Sequence, residues 1–441
     1  MDPLELLGAA SEPADAAVVR AVEGVRVSIE AVNGELRKAD PAEVKGCSVS
    51  VLRDGSWGVA AAEEPSTDLV DKALAATGSG EASLPDDVPV AEGSWDWTGK
   101  VHPLDALEEA AETAVDVSSR WDHDVEVSCT VGAVRYELYA SWGSECRLDL
   151  WYLSYGVTAS DGGEEYSVRG GGRGVGVEGF LEDVEAAAED AVSGLEDLMR
   201  AGKGPELAER VVVDPELLGV VVHEAFGHAV EGDLVARGES ILAGKVGERV
   251  ASGEVTVVDD PTVEGAFGSY PFDDEGVEAR RTVLVKDGVL EGFLTDLNSS
   301  VELGSEPTGN GRVEAIGDHV QVRMSVTYVE PGDASKEELF EEAGDGAVLL
   351  VGSKGGQTDT VTGSFQFSAK LGYVIEGGEP SEPVKDVGLT GDTMGFLKGV
   401  RMLSDEVELH PGYCGKGGQL VPVADGGPYA LVEGRFNLRS G

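Results

Sequence analysis

The chain has 441 residues, with 83 acidic side chains against 33 basic ones and a formal charge of −50. Such an excess repels phosphate backbones and excludes nucleic acid as a direct ligand, and 41% hydrophobic residues in periodic segments exclude disorder. So dense a carboxylate surface resembles that of a halophilic archaeon's protein, kept in molar salt where charges are screened within about 3 Å.

The length suggests two domains of about 200 residues each. No run approaches the roughly 18 apolar residues of a membrane-crossing helix. The start Met1-Asp2-Pro3-Leu4-Glu5 has no basic-then-apolar leader, and the four cysteines show no C-x-x-C spacing, so a cytoplasmic protein is expected.

In chain order, Ala16, Val18, Val19 and Val22 space as a helix, and the alternation Val25 to Glu30 as a strand. Asp54-Gly55, between Ser48–Leu52 and Trp57–Ala60, predicts a tight hairpin. A short helix over Thr67 to Ala76 is followed by a polar connector through Gly93, then by a helix around Pro103 to Val117. Val125 to Val131 alternates as a half-buried strand with Cys129 inward. Further strand segments cover Tyr136–Ala140, Cys146–Leu153 and Gly156–Ala159, which makes Cys47, Cys129 and Cys146 structural. Leu181, Val184, Ala188, Val192, Leu195 and Met199 keep helical spacing, with Gly202 beyond them as a stop. A boundary at Gly204-Pro205 divides the chain into an N-terminal α+β domain, 1–204, and a C-terminal domain, 205–441.

The second domain opens on Val221-Val222-His223-Glu224-Ala225-Phe226-Gly227-His228. Imidazoles are good zinc ligands, and a neighbouring carboxylate can take a proton from water acidified by an ion. The familiar helical motif places its histidines at i and i+4, whereas these stand at i and i+5. On a regular helix that spacing turns one ring away from the other by roughly 140°. Both can reach one metal only if the turn is widened, as in a π-bulge, or broken near Gly227. The alternative is a buried helix with one satisfied core histidine and one at its rim.

Two more hairpins follow, at Val283–Leu290 around Asp287-Gly288 and at Gly372–Gly378. Cys414 sits in a glycine-rich segment beside Lys416, a cation that favours the thiolate a metal needs. It reads either as a third ligand or as an ordinary loop thiol. Asp273-Asp274-Glu275 reads as solvated surface, while Asn310, Arg312, Gly355, Gly356 and Gln357 combine flexible backbone with directed polar groups and are candidates for holding an extended peptide. His102, His123, His319 and His410 have no partner at motif spacing.

Taken in order, His223-Glu224-Ala-x-Gly-His228-x-x-Glu231-Gly-Asp233, Asp273 to Gly276, Pro307 to Arg312, Gly355 to Asp359 and Tyr413-Cys414-Gly-Lys416-x-Gly-Gln419 resemble the TldD branch of the TldD/PmbA family, once described as modulators of DNA gyrase. The resemblance is close over roughly residues 175 to 435. It implies an α+β fold with antiparallel sheets in both domains and a metallopeptidase acting on unfolded or short peptides. One divalent ion is expected, zinc ahead of ferrous iron, on His223, His228 and Cys414, with Glu224 as general base. A dimer is implied, with a second copy or a PmbA/TldE-type subunit. A non-catalytic peptide- or partner-binding subunit is the competing expectation. Val313, Val322, Val326 and Lys354 depart from the family pattern and bear on substrate preference.

Overall fold

A computed structural model describes residues 1–98, 104, 107–174 and 179–439. Among these, the strands form four sheets, and the fold is α+β with mostly antiparallel pairing. The first sheet draws all seven of its strands from residues 16–173, in the order Ser56–Ala62, Glu35–Arg53, Ala16–Val32, Asp124–Ala140 and Glu145–Asp161; Glu92–Trp97 and Glu164–Arg173 both pair with the last. Three further sheets come from residues 202–439.

The expected helix over Ala16 to Val22 is instead the start of a 17-residue strand. Ala17 and Val19 face one apolar cluster and Val18 the opposite one, so residues 16–20 are buried on both sides. A strand covered on both faces loses the alternation that would mark it, and an unbroken apolar run reads as well as a helix. The helix that does occur lies earlier, at Pro3–Ser11, where the Asp2 side chain accepts the Leu4 N–H at 2.8 Å. The Asp54-Gly55 turn forms as expected, both residues at positive φ (50° and 71°), as do the hairpins at Asp287-Gly288 and Gly377-Gly378. Strand segments that looked separate merge into the long strands Asp124–Ala140 and Glu145–Asp161, with Cys129 buried.

Helices Asp68–Ala76 and Leu107–Ser118 lie where expected; Pro103 and His102 fall outside the described residues. Helix Phe180–Arg200 buries Val184, Ala188, Val192 and Leu195, while the Leu181 side chain lies outside those described. Met199 is exposed, because the next inward position after Leu195 is Leu198.

In the second half, Val348–Asp359, Leu207–Val213, Ala430–Arg439, Val387–Asp392 and Ser364–Glu376 pair in that order, and the last pairs again with the first. The five strands therefore close into a ring. Beside it a six-stranded sheet ends on Glu408–Lys416, an edge strand that among the described residues pairs only with Gln419–Gly427.

Asp273 and Glu275 are buried between the halves, and Asp274 between them is half-buried, so the segment is not simply solvated surface. Asp273 accepts the backbone N–H groups of Glu275, Val277 and Gly311, each at 2.9 Å. The seam is completed from the first sheet. Buried Arg20 donates Nε to the Asp274 carbonyl at 2.7 Å, Tyr136 donates its hydroxyl to Asp274 Oδ1 at 2.6 Å, and Ser144 Oγ and the Ala91 N–H both donate to the Gly276 carbonyl. A chain this acidic gives no cue that two of these carboxylates are interior and the third half-buried.

Candidate metal centre

Helix Pro215–Val221 begins with Asp214 at its N-cap and Pro215 in its first turn. Asp214 Oδ1 accepts the Leu217 N–H at 2.8 Å, and Oδ2 accepts the Gly352 N–H of the ring strand at 2.9 Å, so one buried carboxylate starts the helix and seats it on the ring. Burial pushes this carboxyl up to about 7 despite the two N–H donors.

The helix then widens. Val222–Gly227 is a π turn, closed by the His228 N–H on the His223 carbonyl five residues back, and His228–Val230 continues as a 3₁₀ turn. The i+5 spacing is thus accommodated by the first of the two devices expected of it. The rings of His223 and His228 end 5.4 Å apart at 90°. Gly227 contributes space rather than a break: its backbone is helical, and a Cβ there would lie 2.0 Å from Met324 Sδ. Gly227→Ala should therefore cost about 1–3 kcal/mol through overpacking; Met324→Ala in the same chain should recover part of the loss, and additive costs in urea titrations would refute the clash.

Cys414 comes from the edge strand Glu408–Lys416 and is buried. Fully buried Arg323 donates Nη2 to its carbonyl, which fixes the strand against the π turn. His223, His228 and Cys414 each present a ligand atom, and these atoms all lie within 4.8 Å of one another. His228 Nε2 is 3.7 Å from Cys414 Sγ, close to the roughly 3.5 Å between a nitrogen and a sulfur on one tetrahedral zinc. The buried Nδ1 of His223 has no hydrogen-bond partner and lies 3.9 Å from Asp425 Oδ2. Two imidazoles and a thiol, converging in a largely buried site with a polar atom left over, fit a divalent ion.

Burial alone would push the Cys414 thiol up, but the two imidazoles hold it down at about 5. Conversely, burial would lower His223, and Cys414 raises it to about 9; His228 is raised against burial by Glu231 and Cys414. The cluster therefore favours the thiolate that binds metals. The two imidazoles, not Lys416, are the leading causes of this depression; Lys416 Nζ is taken by Asp233 at 2.7 Å, the Val322 carbonyl at 2.9 Å and Glu231 at 3.2 Å.

Glu224 stands beside the cluster, its Oε2 3.7 Å from His228 Nε2, with 42% of its side chain exposed. With His223 it lines a cleft of about 560 Å³ between the edge strand Glu164–Arg173 and helix Phe180–Arg200 on one side and residues of the second half, including Gly355, Lys370 and Tyr413, on the other. Gly356 and Gln357 continue the Gly355 strand on the exposed surface, paired with Phe367 and Gln366.

Asn310 and Arg312 are buried elsewhere, and their polar atoms are committed inside the protein. Asn310 Nδ2 donates to Asp259 Oδ2 at 2.8 Å and to the Arg323 carbonyl at 3.1 Å, while Arg312 donates to the carbonyls of Met324 and Pro422 and covers the Tyr270 ring. They brace the segment behind the π turn, so the structure commits them to internal hydrogen bonds rather than to the cleft that Glu224 lines. Sequence reasoning also left Glu231 and Asp425 without roles. Glu231 was detectable as the residue three after His228 in a helical stretch, whereas nothing in the sequence links Asp425 to His223.

Comparison with known proteins adds the ancestry. Residues 208–435 match the model of the PmbA/TldA metallopeptidase C-terminal domain, and residues 17–77 that of domain 1 of the same peptidases. The chain belongs to the PmbA/TldD metallopeptidase family. A metalloprotease of Methanothermobacter thermautotrophicus is 41% identical over 94% of this chain and 93% of its own length. A zinc metalloprotease TldD homologue of Saccharolobus solfataricus is 37% identical over 53% of this chain and 52% of its own. The fold matches the crystal structure of TldE from Thermococcus kodakarensis with a TM-score of 0.80, at 19% identity over 99% of both chains. As a PmbA/TldD metallopeptidase the chain is an enzyme. In keeping with its sequence, no described helix is long and apolar enough to cross a membrane.

Proposed function

We propose that this metallopeptidase hydrolyses peptide bonds in short or unfolded peptides, with His223, His228 and Cys414 holding one divalent ion, zinc, and Glu224 acting as general base. The observation that carries this is the convergence of the three ligand atoms within 4.8 Å at the wall of a cleft that Glu224 also lines. An ion held there supplies Lewis acidity, polarising a peptide carbonyl and acidifying water. Glu224, half in solvent at the cleft wall, would serve as the general base, taking a proton from the attacking water and giving it to the leaving amine. Among the described residues the edge strand bearing Cys414 has one unpaired backbone side, and an extended peptide laid along it would be held by main-chain hydrogen bonds with little regard to sequence. Gly355, with Gly356 and Gln357 beyond it, is the proposed wall on the other side.

The division into 1–204 and 205–441 remains our reading of the chain's modules, supported by a first sheet drawn wholly from residues 16–173. We further propose a cytoplasmic enzyme that works as a dimer, with a second copy or with a TldE-type subunit; the likeness to a TldE chain supports such an assembly.

Metal content tests the reading. Protein purified in molar potassium chloride should carry about one divalent ion per chain, lost in His228→Ala and in Cys414→Ser, and chelation should abolish peptide cleavage until zinc is restored. A native chain that takes up neither zinc nor iron would instead be a non-catalytic peptide-binding subunit.

A further inference from the structure

Glu231 is fully buried, has no catalytic assignment above, and is hard to justify by stability. A buried carboxylate loses several kcal/mol of hydration, which its partners seldom restore in full, and an apolar residue of similar size commonly leaves a fold as stable or more so. This one is not even fully satisfied, since its Oε1 is buried without a hydrogen-bond partner. The other oxygen, Oε2, lies 2.9 Å from His228 Nδ1 and 3.2 Å from Lys416 Nζ. Lys416 is in turn fixed by Asp233 and the Val322 carbonyl. It extends from the same strand as Cys414, two residues on, so that strand delivers both a proposed ligand and the cation that locks the carboxylate behind another ligand. The remaining ring nitrogen, His228 Nε2, is the one that faces Cys414 Sγ and Glu224, each at 3.7 Å.

From this arrangement we propose that Glu231 and Lys416 are a positioning pair for His228: Oε2 accepts the Nδ1–H, Lys416 holds the carboxylate still, and Nε2 is thereby committed to the ion. The proposal rests on the ligand assignment above. Outer carboxylates of this kind fix the tautomer and angle of a ligating histidine, and losing one typically weakens metal binding 10–100-fold.

The test is the zinc dissociation constant of the full chain, measured by chelator competition, alongside the melting temperature of the metal-free protein. Glu231→Gln keeps the shape but replaces the charge facing Lys416, and should weaken zinc binding about 10–100-fold while the metal-free melting temperature stays at or above that of the native chain. Lys416→Met should weaken it in the same direction, and the double variant should be no weaker than Glu231→Gln alone, because both changes break one device. Glu231→Asp, which keeps the charge but draws the oxygen away from Nδ1, supplies the reading if the amide variant does not accumulate. Native affinity in whichever of these two variants folds overturns the pair. So does a fall in metal-free melting temperature with affinity unchanged, which is the mark of a merely structural group. Failure of the native chain to bind zinc would defeat the ligand assignment instead, a separate outcome.

Discussion

Glu224→Gln is expected to leave the metal content unchanged and to lower kcat for peptide cleavage about 10²–10⁴-fold, equivalent to roughly 3–5 kcal/mol of transition-state stabilisation. The amide has the shape of the carboxylate, so peptide binding in the cleft should survive and KM should change little. What is lost is the ability to accept a proton. Because Glu224 Oε2 lies 3.7 Å from His228 Nε2, the same distance as Cys414 Sγ, a role as an additional ligand is the competing explanation, and metal analysis separates the two. An ion lost together with activity would make Glu224 a ligand; activity within tenfold of native would remove it from the chemistry.

A second large effect is expected far from the ion. Fully buried Asp259 accepts four donors: Oδ1 takes the Ser325 N–H at 2.9 Å and the Thr327 hydroxyl at 2.6 Å, and Oδ2 takes the Ser325 hydroxyl at 2.6 Å and Asn310 Nδ2 at 2.8 Å. This network seats Arg323-Met324-Ser325, where Arg323 holds the Cys414 carbonyl and Met324 packs where Gly227 lacks a side chain. Asp259→Ala would leave those donors buried and unpaired, at a cost of about 3–5 kcal/mol, read as a lower urea midpoint with weakened zinc uptake. Asn310→Ala, which removes one member, should cost about 1–2 kcal/mol and leave KM alone. An altered KM with unchanged stability would return Asn310 to substrate binding.

Much of the centre was readable in advance because its chemistry is local. Two histidines five apart could share one ion only on a widened or broken turn, and the chain supplies a π turn. The Asp-Gly hairpins were equally plain, since two adjacent residues set the backbone. What could not be read depended on burial from several directions. Ala16 to Arg20 form a strand covered on both faces, so no alternation marked them. Asn310 and Arg312 carry the residue types of a binding loop yet spend their hydrogen bonds inside. Asp273, in so acidic a chain, differs from its many exposed counterparts only in the three N–H groups that meet it after folding. Lys416 was rightly noticed but for the wrong neighbour, because spacing along a strand does not say which carboxylate from another segment will reach it.

The buried seam around Arg20, Tyr136 and Asp274 has a mechanical meaning for the enzyme. A joint of charged and aromatic groups tied by hydrogen bonds at 2.6 and 2.7 Å would act less as a hinge than as a weld, holding the cleft beside the proposed ion site at the gap it acquires on folding. Such a tool sorts its work by calliper. On the function proposed above, a single strand of polypeptide would pass and a folded domain would be stopped at the lip, so that the loss of a client's own tertiary structure would become the signal for its cleavage.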